Sequence, residues 1–333
     1  MNLAKDGDNS AQSHDQKTYL AGSIARALAV FCVDEVVIFE DEVRHHSQND
    51  VNDDEYTAYS DPSHFLAHVL SYLETPPHLR KYLFPMHRNL RTAGTLPSLD
   101  MPHHVRANEW CEYREGVTVA DDQEAGGAEK RPNKKQAKKD KKKTDTGMTT
   151  TSTLVHTGLS ERVQIEGVSI PEKTRVTVRF RTDNAAGGAD AVAPSAPREE
   201  AGYYWGYSVR RCGSLSDVFM ECPFDGGYDL SFGTSERGKP LDEVVQRSET
   251  EGNDDGVPAY RHLLVVFGGV AGLEAAVKSD EVLRSKDVVP AEAGRVFDYY
   301  VNVLPGQGSR TIRTEEAVWL GLMGLRGVIN NHV

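Results

Sequence analysis

The sequence lacks any apolar segment long enough to cross a bilayer. Its longest apolar run, residues 263–277, contains Glu274 and is shorter than the roughly 20 residues that a transmembrane helix needs. The first residues also lack an apolar core, so we expect no secretory signal. With a formal net charge of −12, the composition is that of a protein for which we expect no membrane partner.

Cysteine is scarce as well. The four cysteines stand far apart in the sequence, without the C-x-x-C spacing that is typical of structural zinc sites. We therefore expect reduced thiols, in a cytosolic or nuclear protein. Two histidine pairs, at 45–46 and 103–104, consist of adjacent residues, whose side chains point apart on an extended chain. The sequence thus predicts no metal site.

Two phosphate-binding fingerprints are also missing, since neither G-x-G-x-x-G nor G-x-x-x-x-G-K-[ST] occurs. Their absence argues against a dinucleotide-dependent oxidoreductase, which glycine-rich loops alone would allow. No catalytic triad stands out either. Glycine is nevertheless concentrated at the ends of three predicted strands, at 233–238, 268–269 and 304–310. Glycine lets a backbone approach a ligand closely, so we predict a small-molecule pocket at these strand ends.

A dense basic run at 131–143 contrasts with the acidic total charge. Such a run is typical of a nuclear localisation signal or of a nucleic-acid-binding arm. It is equally typical of a solvated, disordered loop that happens to be rich in lysine, and the sequence leaves both interpretations open. An acidic protein can still bind RNA when its basic residues share one face, because phosphate contacts are local.

The chain alternates between two kinds of pattern. Helix and strand signals of an α/β fold occupy 17–110 and 205–333, whereas 111–204 consists of short alternating strands. We predict a split α/β domain into which a small, OB-type β-barrel is inserted, with a disordered tail at 1–16. Polar or low-complexity loops are predicted at 121–150, 182–200 and 239–256.

The predicted barrel has five strands, the last of which holds four aromatic residues. Those aromatic side chains can stack on nucleic-acid bases, or they can fill the barrel core and the junction between domains. Both interpretations stay open. The predicted strands are 113–119, 153–156, 163–165, 175–180 and 203–209, and the aromatic residues are Tyr203, Tyr204, Trp205 and Tyr207.

Seven segments, spread over about 17–330, form an ordered series. They are SIARALAVFCVDEVV (23–37), PHHVR (102–106), YWGYSVR (204–210), GGYDL (226–230), GTSERG (233–238), VVFGG (265–269) and PGQGSRTIRTEEA (305–317). The series resembles that of the eukaryotic and archaeal SPOUT-class RNA methyltransferases, and its last segment is long and specific. The lysine run, the acidic stretch near 41–61 and the tract near 185–197 depart from the family pattern.

This resemblance implies a trefoil-knotted α/β domain that binds S-adenosylmethionine, releases S-adenosylhomocysteine and forms a homodimer. In that fold the three glycine-containing loops converge, and the cofactor is held mainly by backbone groups. A simpler interpretation, that the glycines only make turns, would suffice for one loop but less well for three. The cofactor-binding residues that the resemblance implies are Thr234, Glu236, Gly238, Phe267, Gly268, Gly269, Asn302, Leu304, Gly306, Gly308, Ser309, Thr311 and Ile312.

Methylation of a base nitrogen such as uridine N3 requires the loss of a proton, and a nearby guanidinium can stabilise the resulting anion. Arg26 is the first candidate, because related enzymes often bring an arginine of the first helix to the cofactor of the other subunit; its alternative is an ordinary salt bridge. Arg313 and Glu316 complete the predicted catalytic set, although Glu315 and Glu316 can simply favour the positive end of the last helix. The predicted RNA-binding residues are His103, His104, Arg106, Arg237 and Arg310.

We therefore predict an S-adenosylmethionine-dependent RNA methyltransferase that acts on a base of ribosomal RNA, with uridine N3 favoured. The alternative is a non-catalytic scaffold that keeps the knot and recruits RNA or protein partners. The basic run favours a nuclear or nucleolar location, with the cytoplasm as second choice. RNA and a second copy of the chain are the expected partners.

Overall fold

The computed structural model of the 333-residue chain describes residues 13–41, 56–120, 152–182, 188–250, 257–269 and 271–330. Within these ranges the helices are α1 (His14–Val30), α2 (Pro62–Glu74), α3 (Pro77–Leu83), α4 (Ala196–Ala201), α5 (Leu215–Met220), α6 (Leu241–Thr250), α7 (Gly272–Ser279), α8 (Glu281–Ser285), α9 (Thr314–Gly324) and α10 (Arg326–Asn330). The strands are β1 (Glu35–Phe39), β2 (Tyr113–Val119), β3 (Ser152–His156), β4 (Val163–Glu166), β5 (Arg175–Phe180), β6 (Ala189–Val192), β7 (Ser208–Cys212), β8 (Leu230–Pro240), β9 (Leu263–Phe267) and β10 (Tyr299–Asn302).

The chain divides into two compact units. Unit one lies within Met1–Glu74, Met86–Leu99 and Gly206–Val333, and unit two within Thr75–Pro85 and Asp100–Trp205. Unit two thus includes residues 75–85 and 100–110, which the sequence analysis assigned to the α/β domain. Two consecutive prolines, Pro76 and Pro77, end α2 and start α3, since proline disrupts a helix interior but suits its first turn.

Helix α1 begins at His14, within the segment that the sequence analysis predicted as a disordered tail. Its N-cap is Ser13, whose Oγ accepts a hydrogen bond from the backbone N–H of Gln16 at 3.2 Å, while Gln16 Oε1 accepts one from the N–H of Ser13 at 3.1 Å. This reciprocal capping box satisfies two donors that a helix start otherwise leaves open. The predicted disordered tail is therefore wrong for residues 13–16, and residues 1–12 lie outside the described ranges.

Unit one is built on two parallel sheets. Strands β1 and β7 pair in parallel, and a second sheet has the order β10-β8-β9 with all strands parallel. Strand β7 includes the end of the segment 203–209, which was predicted as the fifth barrel strand. That prediction is wrong, because Val209 pairs with Val36 in unit one. Because β8, β9 and β10 run the same way, their carboxyl ends meet at one edge.

The first and last long helices of unit one pack against each other. Ala27 of α1 is buried with Val318 and Leu322 of α9. The indole Nε1 of Trp319 donates a hydrogen bond to Ser23 Oγ at 3.4 Å, joining residues 296 positions apart in sequence. The last helix, which follows the third glycine loop, is thereby fixed against α1.

The predicted acidic loop at 239–256 is wrong over most of its length, because residues 241–250 form α6. Asp242 and Glu243 lie in its first turn, where carboxylates interact favourably with the helix dipole. Leu241 is 4% exposed, and Val244 and Val245 pack against the same apolar cluster as strands β8 and β10. Residues 241–250 therefore form a helix because their apolar side chains share one face, although the segment as a whole is polar.

Unit two contains an antiparallel five-stranded sheet of order β4-β3-β2-β5-β6. The edge strands β4 and β6 also contact each other, so the sheet is nearly closed. The fifth strand comes from the alanine- and glycine-rich tract that was predicted as a loop: Ala189 and Ala191 pair with Phe180 and Val178. Alanine and glycine have a weak strand propensity, so the tract forms a strand because it pairs with β5.

The aromatic segment that follows is divided between the interior and the surface. Trp205 is 9% exposed, and its Nε1 donates a hydrogen bond to the buried Glu115 carboxylate at 2.7 Å. Thr177 Oγ1 and Arg175 Nε donate to the same carboxylate at 2.6 Å each. Tyr203 remains 44% exposed. For Trp205 the core interpretation is therefore the correct one.

A histidine-rich aromatic cluster lies in unit one around Tyr56. Its ring stacks on His64, with centroids 3.6 Å apart, and on His87, with centroids 4.8 Å apart. The Tyr56 hydroxyl also forms a short hydrogen bond with Nδ1 of His68. Burial, with smaller contributions from His87 and His64, lowers the pKa of His68 from 6.5 to about 4. The His68 imidazole is therefore neutral at pH 7.

This cluster predicts acid sensitivity of unit one. The pKa of His68 is lower in the folded chain than the ordinary 6.5, so the folded state binds fewer protons than the unfolded state. The contribution to stability is complete above pH 6.5 and is lost as the pH falls toward 4. Between pH 7 and pH 5 we expect His68 to reduce the unfolding free energy by about 1 kcal/mol, allowing for solvent screening. His68→Gln should flatten this slope in urea titrations; an unchanged slope would contradict the assignment.

Candidate functional site at the strand ends

Three chain segments meet at the carboxyl edge of the β10-β8-β9 sheet. Thr234 pairs with Phe267, the last residue of β9, and Gly233 pairs with Tyr300 of β10. The β10 pairing then resumes at Lys239. Residues 234–238 therefore bulge out of β8 between the ends of its two neighbours. The predicted loops at 233–238, 268–269 and 304–310 all leave this edge.

The side-chain amide of Asn302 ties two of these loops together. Its Nδ2 donates to the carbonyl oxygen of Glu236 at 3.0 Å, and its Oδ1 accepts from the backbone N–H of Leu304 at 3.0 Å. Both ends of the amide are thus occupied by protein atoms. Asn302, predicted as a cofactor ligand, holds the bulge of β8 against the start of the third loop.

Thr234 and Phe267 also serve the framework of the site. Thr234 is 8% exposed, and its Oγ1 donates to the carbonyl oxygen of Val266 at 3.0 Å. Phe267 packs with α9, and a Cβ added at Gly321 would lie 2.8 Å from its ring. These two side chains bind the strand ends to each other and to the last helix, which leaves mainly their backbone groups for a ligand.

The glycines of the three loops fall into two classes. A Cβ added at Gly238 would lie 2.3 Å from the backbone carbonyl carbon of Val301, and one at Gly268 would lie 2.8 Å from the backbone of Gly272. At Gly306 and Gly308 an added Cβ meets nothing within 4 Å. Gly238 and Gly268 therefore permit close packing of the chain on itself, whereas Gly306 and Gly308 border open space.

The third loop has the properties of a backbone cradle. The N–H groups of residues 306–312 donate no hydrogen bond to atoms of the described ranges, and Gly306 has a φ of 71°, which favours glycine. Gly308, Ser309 and Thr311 are exposed and Ile312 is half-buried. A polar ligand can enter here and accept hydrogen bonds from several amides. This arrangement fits a cofactor that is held by backbone groups.

Beside the bulge lies a polar cluster that the sequence analysis did not assemble. Arg237 Nη1 is 3.2 Å from Glu274 Oε1. The buried hydroxyl of Tyr300 lies close to Ser235, Glu274 and Arg237. Burial is the main cause that raises the pKa of Tyr300. The signal for Glu274 was its position as the one charge inside an apolar run.

The predicted catalytic residues have different surroundings. Arg26 Nη1 donates to the carbonyl oxygens of Leu99 at 2.7 Å and Ser98 at 3.3 Å, so its guanidinium holds a neighbouring segment of unit one. Glu316 accepts the backbone N–H of the exposed Arg313 at 2.9 Å and thus caps α9. For Glu316 the structural interpretation as a helix-end carboxylate is therefore satisfied by a specific contact.

Glu315, adjacent to this cap, is the more perturbed carboxylate. Its side chain is 13% exposed, and one oxygen lies 4.0 Å from Arg313 Nη1. Burial, as the largest cause, raises the pKa of Glu315 above its usual range. Carboxylates that bind protons more tightly than usual are candidates for proton transfer. The structure thus distinguishes Glu315 from Glu316, which the sequence could not do.

The predicted RNA-binding residues are distributed over both units. In unit one, Arg237 and Arg310 are exposed. In unit two, Arg106 is exposed and His104 is half-buried, but His103 is 1% exposed and lies against Trp205, with ring centroids 5.7 Å apart. The His103 side chain therefore belongs to the interior of unit two rather than to its surface.

The described residues contain neither a membrane-spanning helix nor a metal-binding group of side chains. No helix in those ranges is long and apolar enough to span a membrane. No group of three or more histidine, cysteine, aspartate or glutamate side chains there is arranged to hold a metal ion.

Comparison with known proteins identifies the family. The family described as "Putative RNA methyltransferase" matches residues 8–325. A human protein named 28S rRNA (uridine-N(3))-methyltransferase is 39% identical over 325 residues, which cover 96% of this chain and 75% of that protein. The mouse protein of the same name is 40% identical, covering 96% and 73%. The fruit-fly protein of that name is 38% identical over 326 residues, which cover 95% of this chain and 59% of the fruit-fly protein.

The family match spans most of both units, including the bulge of β8, the open third loop and α9. The predicted family resemblance is confirmed, and with it the predicted class of enzyme. The chain belongs to this family of RNA methyltransferases.

Proposed function

We propose that this chain transfers the methyl group of S-adenosylmethionine to N3 of a uridine in large-subunit ribosomal RNA. The observation that carries the proposal is the open, amide-rich loop at 306–312 beside two other strand ends, in a chain whose human and mouse relatives are named for uridine-N3 methylation of 28S rRNA.

The cofactor is proposed to lie against this third loop, in a trefoil-knotted SPOUT domain. When bound, S-adenosylmethionine supplies an electrophilic methyl group on a positively charged sulfur. The backbone N–H groups of Gly306 to Ile312 would donate hydrogen bonds to its polar atoms, and the side chains of Ser309 and Thr311 add two further hydroxyl donors. Asn302 contributes indirectly, since it orients the backbone of Glu236 and Leu304.

The proposed reaction needs a nucleophile that has lost its proton. Bound S-adenosylmethionine would supply the methyl group and leave as S-adenosylhomocysteine, and the N3 proton would first pass to a base of this chain. A guanidinium close to the uracil oxygens stabilises the anion. Arg237, held by Glu274 at 3.2 Å, is one source of that charge, with Arg313 and Arg310 as others. Glu315, whose pKa is raised by burial, is the carboxylate that we propose as proton acceptor.

A homodimer is the proposed active form. Tyr19 and Val30 of α1 are 53% and 44% exposed, and eleven positions, about three helical turns, bring them to one stripe. Leu320 and Met323 of α9 are 37% and 60% exposed. Large apolar side chains exposed on two packed helices favour a protein partner. Arg26 lies on the α1 stripe, seven positions after Tyr19, where a second subunit would meet it.

Unit two is proposed to bind the RNA as an OB-like module, and the protein is proposed to act in the nucleus or nucleolus, with the cytoplasm as second choice. The basic run at 131–143, which supports this location, lies outside the described residues. A base within a helix is inaccessible, so the target uridine would be unpaired or flipped out.

The decisive experiment is mass spectrometry of nucleosides from purified large-subunit ribosomal RNA of cells with and without the protein. We expect 3-methyluridine to disappear from one position in the depleted cells and to return with the wild-type chain. The matched variant Gly308→Trp, designed to block the cofactor loop, should restore protein level but not methylation. Unchanged 3-methyluridine on depletion would contradict the proposed substrate.

A rescue of growth by Gly308→Trp, with methylation still absent, would favour the scaffold function instead. It would separate a need for the folded protein from a need for the reaction.

A further inference from the structure

A basic and aromatic surface of unit two contains none of the residues that the sequence predicted for RNA contact. It is formed by α3, by the end of β3 and by the turn that follows β3. Lys81 Nζ lies 4.7 Å from the centroid of the Tyr82 ring, and that ring is 5.2 Å from the ring of His156. Arg162 Nη1 donates to the carbonyl oxygen of Ala120 at 3.2 Å. We call these four residues, Lys81, Tyr82, His156 and Arg162, the α3/β3 surface.

The charges of this surface converge on one imidazole. Burial lowers the pKa of His156, and the positive charges of Lys81 and Arg162 lower it further. Lys81 Nζ lies over the Tyr82 ring, and the Tyr82 ring in turn neighbours that of His156. Two flat rings beside a cation are suitable partners for a nucleobase whose phosphate faces the cation.

Three arginines of unit two are paired with carboxylates. Arg175 pairs with Glu115, Arg179 with Glu112 and Glu200, and Arg181 with Asp190, at distances of 2.6 to 3.0 Å. Lys81 has a different environment, since its ammonium rests on an aromatic face instead. An aromatic ring attracts a cation without cancelling its charge. Lys81 thus keeps a positive field that these three arginines lose to their partners.

The surface is rigidly supported from below. His78, one turn before Tyr82 on α3, forms a 3.0 Å hydrogen bond between its Nε2 and the carbonyl oxygen of Glu115 in β2. Gly158, two residues after the end of β3, has a φ of 79° and lies against α3. A Cβ added at this position would be 2.8 Å from the His78 ring. Helix α3 is therefore locked onto the sheet, and a ligand would meet preformed positions for its contacts.

From this arrangement we propose that the α3/β3 surface binds a single-stranded segment of the substrate RNA. Lys81 and Arg162 contact phosphates, and Tyr82 with His156 stacks on one unpaired base. The inference rests on the proposed function for the nature of the substrate, and it adds the part of unit two that holds it. Single-strand binding by basic and aromatic side chains together is common and largely independent of sequence.

The position of the surface relative to the lysine-rich segment is consistent with this role. Arg162 contacts Ala120, the last described residue before the segment that contains 131–143, and the chain is described again from Ser152 in β3. His156 pairs with Val117 on the adjacent strand. Ala120 therefore contacts a member of the α3/β3 surface.

The test measures binding of a fluorescein-labelled oligouridine of 15 nucleotides to the full chain by anisotropy, over a range of salt concentrations. Tyr82→Ala should weaken binding by about tenfold, the effect of losing one stacked base. Lys81→Gln should lower the slope of log affinity against log salt by about 0.7, the loss of one phosphate contact to a single strand.

Arg181→Gln is the matched control, because it removes the same charge from unit two at a residue already paired with Asp190; we expect affinity within twofold of wild type. Thermal unfolding of each variant separates a lost contact from a lost fold, and Lys81→Gln changes an exposed residue that folding does not need. Equal effects of Lys81→Gln and Arg181→Gln on the salt slope would overturn the proposal.

Calorimetry with S-adenosylhomocysteine distinguishes a failure of this proposal from a failure of the proposed function. Normal cofactor binding by all variants, with no loss of oligouridine affinity in Tyr82→Ala or Lys81→Gln, would reject only the α3/β3 surface. Absence of cofactor binding by the wild-type chain would reject the proposed function, while the comparison of the RNA affinities would still decide the surface.

Discussion

Replacing Gly308 by tryptophan is expected to reduce affinity for S-adenosylhomocysteine by at least about 100-fold, with little change in thermal stability. The backbone at Gly308 has no positive φ, and an added Cβ meets no atom within 4 Å. The indole can therefore be accommodated without strain, but it would occupy the space over the free amides of the third loop. A factor of 100 corresponds to about 2.7 kcal/mol of lost binding free energy.

The control for this variant is Gly94→Trp. Gly94 is also an exposed glycine of unit one without a positive φ, and an added Cβ there likewise meets nothing within 4 Å. It lies in a short 3-10 turn, Ala93–Thr95, away from the strand ends. Calorimetric titrations should give wild-type affinity for Gly94→Trp. Wild-type affinity for Gly308→Trp as well would place the cofactor elsewhere.

Gly238→Ala is expected to destabilise unit one by about 3 kcal/mol, although it adds a single methyl group. That methyl would lie 2.3 Å from the backbone carbonyl carbon of Val301 and 2.6 Å from its Cα. Backbone in the middle of a paired strand cannot move aside as a flexible side chain can, so overpacking here carries the upper range of its usual cost. The urea midpoint of unit one should fall accordingly.

The same substitution at Gly308 provides the comparison, because its surroundings are open. Gly308→Ala should keep both the urea midpoint and the cofactor affinity close to wild type. If Gly238→Ala were as stable as Gly308→Ala, the close passage of the β8 bulge over β10 would be wrong.

Much of the fold was predictable because it is encoded by local patterns. The runs 113–119 and 175–180 became strands with the predicted bounds, since their alternating pattern leaves few other ways to bury them. Strand β6 was not predictable, because Ala189 and Ala191 gain their strand conformation only by pairing with β5. Helix α6 was wrongly predicted as a loop because the segment is acidic, whereas the helical spacing of Leu241, Val244 and Val245 indicates the helix.

The position of the candidate site was predictable, but the division of labour within it was not. Glycine-rich ends of parallel strands predicted one shared edge. The sequence could not show that Gly238 faces the backbone of Val301 while Gly308 faces open space, because both are simply glycines after a strand. Nor could it show that Asn302 is occupied at both ends of its amide, since the partners lie on another segment of the chain.

The packing of α1 on α9 has a consequence for biosynthesis. Trp319 and Ser23 are 296 positions apart, and a ribosome adds roughly 5 to 20 residues per second. The apolar side of the first helix, with Ala27 and its neighbours, therefore emerges roughly 15 to 60 s before the helix that covers it has been made. During this interval the nascent chain exposes the apolar surface of α1, and unit two can complete its own core first. A chaperone that binds the nascent chain would find a site on α1.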